Sequence, residues 1–97
     1  MIIWITGDSG AGKTTLAKEL QLKMGGINLD GDDMRASLTK GLGFDEAARY
    51  ENNIKIAALA RILEKQGFDV IVSTILPDIS NLREKVGKIT RCKFIHL

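Results

Sequence analysis

Apolar positions along the chain alternate between short continuous runs and repeats at helical spacing. Ile2 to Thr6 is an apolar, β-branched and aromatic run closed by Gly7, the pattern of a strand buried on both faces. Lys13 to Met24 follows as a helix, with Leu16, Ala17, Leu20 and Met24 on one face and Gly25-Gly26 as its stop. Ile27 to Leu29 reads as a short second strand ending at Asp30. Asp32 or Asp33 is then expected to cap a short helix carrying Met34 and Leu38. Beyond "TKGLGF", Asp45 caps a long helix to about Gln66, whose apolar face is Ile56, Leu59, Ala60 and Leu63. Phe68 to Ile75 is the third strand, ended by Pro77. Ile79, Leu82, Val86 and Ile89 then recur at helical spacing, with Arg83, Lys85 and Lys88 on the polar side, and "CKFIHL" forms a fourth strand.

Strands alternating with helices predict an α/β fold, a parallel sheet with helices on both faces. Residues 1–97 have room for one domain and show no repeats, low-complexity tracts or linkers. A parallel strand needs cover on both faces, and no helix follows Leu97. The chain is therefore expected to be truncated after the fourth strand, an incomplete domain whose open edges favour a homo-oligomer.

Composition narrows the choice of function without making it. Hydrophobic residues at 44% and charged residues at 27% are ordinary for a soluble domain. A net charge of +2 tolerates anionic ligands but is too mild to mark a nucleic-acid or membrane surface. Aromatic residues make up only 5%, too few for a base-stacking platform, so nucleic acid is not an expected partner. Cys92 is the single cysteine, which excludes an internal disulfide and fits a cytoplasmic location. The opening "MIIWITGDSG" lacks a basic region and reads as a strand rather than a leader, and no run is long enough to span a membrane.

The sharpest chemical signal is "GDSGAGKT", Gly7 to Thr14, which matches G-x-x-x-x-G-K-[ST] between a strand and a helix. Gly7, Gly10 and Gly12 let the backbone curl so that the N–H groups from Asp8, Ser9 and Ala11 onward turn toward a phosphate. The helix N-terminus adds its positive dipole end. Lys13 can reach the β- and γ-phosphates of ATP, Thr14 can ligate Mg²⁺, and Thr15 is a lesser candidate for phosphate oxygens. An incidental glycine-rich turn is the competing explanation, and the correct flanking elements weigh against it. Many proteins with this loop hold Mg²⁺ with an acid at the end of a neighbouring strand, but "VIVSTI" ends in Ser73 and Thr74. Carboxyl ends of parallel strands share one edge. "NLDGDDMR" should therefore meet the phosphate loop there and supply the missing acid.

"GDSGAGKTTLA", "LDGDDMR", "LGF" with "ARYEN", and a third strand ending in Pro77 resemble the adenylylsulfate kinases in order and spacing. The likeness spans nearly the whole chain and corresponds to the N-terminal half of that family's domain. It implies a P-loop kinase core with strand order 2-3-1-4. The implied reaction is Mg²⁺-dependent transfer of the ATP γ-phosphate to the 3′-hydroxyl of adenylyl sulfate, as in sulfate assimilation. By the same resemblance Asp32 accepts the hydroxyl proton and assists the metal beside Thr14. Arg35, Arg49 and Asn52 hold the sulfated nucleotide. Arg49 and Asn52 are i, i+3 on one helix face, so both can address one anion; without the family match, Arg49 would equally pass for a solvated helix charge. The family's F-I-S-P-Y is replaced by "TILPD", with Thr74, Leu76 and Asp78 departing, and Asp78 is expected to bring negative charge near the site.

A shorter likeness of "DDMRASL" to polynucleotide 5′-kinases leaves "LGF…ARYEN" unexplained, and another small-metabolite kinase would fit the phosphate loop alone. A nucleotide-binding regulatory module without catalysis is a third reading, predicting ATP affinity without transfer. Trp4 is expected in the core, and His96 and Cys92 in structural roles. Arg83 is the one residue of the basic face expected near the site, because it closely follows Pro77.

Overall fold

The computed structural model describes residues 1–97. Strands β1 (Ile2–Thr6), β2 (Ile27–Asp30), β3 (Val70–Thr74) and β4 (Lys93–His96) pair in parallel in the order β2-β3-β1-β4. Between them run helices α1 (Lys13–Met24), α2 (Gly31–Ala36), α3 (Glu46–Lys65) and α4 (Leu82–Thr90). This is the expected parallel sheet with helices on both faces.

Alternation along β1 divides the core. Ile3 and Ile5, with Ile71 of β3, face α1 and pack on Ala17, Leu16 and Leu20. Ile2 and Trp4, with Val70 and Val72, face the opposite layer and pack on α3 and α4 through Ile56, Ala57, Ala60, Leu82 and Val86. All five residues of β1 and of β3 are buried, which accounts for their continuous apolar reading. Trp4 is fully buried, and its indole N–H donates to Thr74 Oγ1 at 2.9 Å. Burying a side chain of this size stabilises a core by about 3–5 kcal/mol relative to alanine.

Several element ends differ from the sequence expectation, each for a local reason. The cap of α2 is Asp30, not Asp32 or Asp33: Asp30 Oδ1 accepts from Asp32 N at 2.9 Å, while Asp32 and Asp33 lie inside the first turn. Leu38 lies beyond α2, because Ser37 Oγ donates back to Asp33 O at 2.7 Å and Thr39 N donates to Met34 O at 2.9 Å. β3 begins at Val70 rather than Phe68, after Phe68 N turns back to donate to Leu63 O at 3.2 Å. Ile79 packs on the core but precedes α4. Ser80 and Asn81 have φ of 45° and 57°, and Leu82 N closes a turn on Ile79 O at 2.8 Å. Asp45 caps α3 as expected, accepting from Ala48 N at 2.8 Å; such a cap contributes about 1 kcal/mol.

Cys92 and His96 take structural places. Burial pushes the Cys92 thiol above its ordinary range, only partly opposed by the Thr90 hydroxyl and the nearby Arg83 charge. His96 Nδ1 shares a 2.9 Å hydrogen bond with Thr6 Oγ1, tying the ends of β4 and β1.

Candidate active site

Parallel register brings the ends of β1, β2 and β3 level: Thr6 pairs with Thr74, and Asp30 with Ser73. The loop after β1 and the turn after β2 therefore open onto the same edge. Between them lies a cleft of about 450 Å³, in which Phe44 and Ile75 are the only apolar lining residues. A wall of hydroxyls, carboxylates, guanidinium groups and backbone suits a polyanion far better than an apolar ligand.

One end of the cleft is the phosphate loop. Ser9, Gly10, Gly12, Lys13, Thr14 and Thr15 line it, whereas Gly7, Asp8 and Ala11 of the expected loop do not. Gly12 caps α1 with φ 97° and no side-chain partner, and the first turn of α1 carries no acid. The N-terminal amides and dipole of α1 thus meet no protein carboxylate in that turn, which favours an anion there. Lys13 Nζ donates to Asp8 O at 2.7 Å, leaving two of its three donors for other acceptors.

"NLDGDDMR" forms the adjoining wall. Asp30, at the end of β2, is the junction: Oδ1 caps α2, while Oδ2 accepts from Thr14 Oγ1 and from Ser73 Oγ, both at 3.3 Å. Sequence reasoning gave the metal-side role to Asp32, yet the acid that touches Thr14 is Asp30. Asp32 lines the same cleft and is exposed, one residue into α2. The acids form no ion pair with Lys13, Arg35 or Arg49. Asp30 is held instead by the hydrogen bonds it accepts, and these cations line the same cleft.

Gly31 eases this approach. A Cβ built there would stand 3.0 Å from Ser73 O and 3.4 Å from Thr74 Cγ2, a tight contact that the backbone of β3 would have to relieve by a few tenths of an ångström. Gly31→Ala is expected to cost about 1–2 kcal/mol by forcing α2 away from the strand. A urea titration checks this, and an unchanged midpoint would mean that the contact yields freely.

The same cleft holds two arginines. Arg35 Nη1 donates to Gly43 O at 3.1 Å, and its guanidinium lies 4.6 Å from the centroid of the Phe44 ring. The "LGF" loop thereby aims Arg35 and brings in Phe44, a cleft residue that the sequence alone does not single out although it stands in that motif. Arg49 and Asn52 reach the same cleft from α3. Two expectations fail here. Arg83 is not at the cleft; it sits 4.3 Å over the Phe94 ring of β4. Asp78 is exposed and, like Leu76, does not line the cleft, so its charge is not presented to a bound anion there. Thr74 does line it, with its hydroxyl held by Trp4.

A model of the family described as adenylylsulphate kinase matches residues 1–97. The adenylyl-sulfate kinase of Pseudomonas aeruginosa is 47% identical over 94 residues, covering 89% of this chain and 48% of that protein. That of Microcystis aeruginosa is 45% identical over 93 residues, covering 90% and 51%. The chain thus spans about half the length of the curated relatives it matches. Among solved structures, the APS kinase of Mycobacterium tuberculosis in complex with AMPPNP and APS superposes with a TM-score of 0.83 at 32% identity, over 98% of this chain and 59% of that one. A gluconokinase from Sinorhizobium meliloti, at a TM-score of 0.71 and 18% identity over 97% of this chain and 54% of that one, shares the fold alone. No helix of the chain is long and apolar enough to cross a membrane.

Proposed function

The chain belongs to the adenylylsulphate kinase family, and on that premise we propose that it forms the phosphate- and acceptor-binding half of an ATP-dependent kinase acting on adenylyl sulfate. The observation carrying this reading is a single polar cleft that joins a phosphate loop, two acids and the Arg35–Arg49–Asn52 group. Two anionic ligands can face each other across it, as in-line phosphoryl transfer between nucleotides requires.

Lys13 and the loop amides bind the β- and γ-phosphates and stabilise charge on the transferred group. Asp32, exposed in the cleft, takes the 3′-hydroxyl proton of the acceptor. Arg35, Arg49 and Asn52 grip its phosphosulfate, with the two guanidinium groups offering paired donors to oxyanions. Phe44 offers its open ring face to the base.

The donors also fit Mg²⁺. The acids form no cage of three or more ligands, and a kinase Mg²⁺ needs only one or two protein oxygens beside the phosphates. Thr14 and Asp30, already 3.3 Å apart, with Asp32 beside them, would hold the ion. When bound it supplies positive charge that neutralises the phosphate oxygens. Asp30 joins this assignment from its contact with Thr14, beside the Asp32 expected from sequence.

An acceptor screen on the full-length protein with γ-labelled ATP tests the reading. Label is expected in adenylyl sulfate and not in a 5′-hydroxyl oligonucleotide. Labelled oligonucleotide would move the function to a polynucleotide kinase, and ATP binding without any product would leave a regulatory module. A homo-oligomeric assembly is part of the same proposal; an APS kinase from Thiobacillus denitrificans, 34% identical, is hexameric.

A further inference from the structure

Asn52 is 3% exposed, yet it lines the cleft, and the direction of its amide decides what it offers there. A side-chain amide has a donor end and an acceptor end of nearly the same shape. Only the donor end can serve an anion.

The neighbour that sets this direction is Thr39, itself 2% exposed, in the segment after α2. Its Oγ1 lies 2.6 Å from Asn52 Oδ1 and 3.1 Å from Met34 O. A hydroxyl has one hydrogen, so it can donate to only one of the two. Met34 O already accepts two backbone N–H groups, from Thr39 at 2.9 Å and Ser37 at 3.2 Å. A separation of 2.6 Å also belongs to O–H···O geometry, since N–H···O contacts cluster near ~2.9–3.0 Å. Both facts send the hydroxyl hydrogen to Asn52 Oδ1. Asn52 Nδ2 then has no partner within the chain, and it is not among the buried polar atoms lacking one, which are Asn28 Oδ1 and Asn53 Oδ1. It is therefore open to the cleft.

We propose that Thr39 is a positioning residue for the acceptor site: by donating its hydroxyl hydrogen to Asn52 Oδ1 it locks the amide with Nδ2 toward the cleft, so that Asn52 meets an oxyanion as a donor only. Specificity for an anionic acceptor over a neutral one with hydrogens to donate is thereby set from outside the cleft. This rests on the acceptor reading above, which gives Asn52 its ligand.

Calorimetric titration of the full-length protein with adenylyl sulfate, and separately with a non-hydrolysable ATP analogue, tests it. Thr39→Val keeps the shape and removes the hydroxyl, so the amide can turn; affinity for adenylyl sulfate is expected to fall about tenfold, with the ATP analogue unaffected. Thr39→Ser should restore the wild-type value. Equal losses for both ligands would reveal a merely structural threonine and overturn the proposal. So would native acceptor affinity in Thr39→Val when Asn52→Ala has lost it. Native affinity in Asn52→Ala would instead overturn the acceptor reading beneath it. Should Thr39→Val fail to fold, Asn52→Asp decides: it keeps an oxygen for Thr39 and puts an acceptor where Nδ2 was. It should lose at least as much affinity as Asn52→Ala, and native binding by Asn52→Asp would show that no donor is needed at this position and overturn the proposal.

Discussion

Lys13→Ala in the full-length protein is expected to lower phosphoryl transfer by about 10²–10³-fold or more, the cost of removing one preorganised charge from a transferring phosphoryl group. The side chain reaches across its own loop to Asp8 O and packs in neither core cluster. The thermal midpoint should therefore stay close to that of the wild type. Label transfer from ATP reads the activity and a melting curve reads the fold. Transfer within a few-fold of wild type would remove the phosphate loop from catalysis and leave it a binding device.

Asp32→Asn is expected to cut turnover by about 10²–10⁴-fold, the range for losing a general base, while the affinity for ATP changes little. The neighbouring acid makes the contrast informative. Asp30 caps α2 and accepts from Thr14 and Ser73, so Asp30→Ala should weaken Mg²⁺-dependent nucleotide binding and lower stability together. Its loss of structure is expected to be on the order of 1 kcal/mol, as for other N-cap changes. A steady-state kcat and KM series with both variants separates the roles. If Asp32→Asn mainly raises the KM for ATP, Asp32 belongs with the metal and another group takes the proton.

These two acids mark where reading along the chain stops working. The phosphate loop is legible because its chemistry lies within consecutive residues: glycines, a lysine and a hydroxyl at fixed offsets between a strand and a helix. The strands and helices are legible because burial imposes a period on each of them. The strand order was available from the family likeness, and the sheet has it. By contrast, which carboxylate touches Thr14 depends on a contact across sixteen positions, set by how β2 lies beside β3. Sequence logic chose Asp32 or Asp33 as the cap because each looked like a residue preceding a helix. Pairing of Asp30 with Ser73 ends β2 one residue later and starts α2 at Gly31, which makes Asp30 the cap.

The same division runs through the cations. Arg35 and Arg49 could be named from their motifs, but the aim of Arg35 comes from Gly43 and Phe44 in a loop. Arg83 looked close to the site by its distance along the chain from Pro77. The turn at Ser80 and Asn81 redirects α4, and the guanidinium settles on Phe94 instead. Asp78 looked like a charge against the substrate, and it is exposed outside the cleft.

By itself, then, the sequence determined the elements, the buried alternation of β1 and β3, and the anion-binding loop, all of which follow from backbone period and nearest-neighbour chemistry. Tertiary structure alone decided which acid meets Thr14, that Arg83 stays out of the cleft, and how Thr39 turns the amide of Asn52. Those outcomes depend on angstrom-scale distances between side chains far apart in the chain. Sheet register and helix packing set such distances, and no local pattern encodes them.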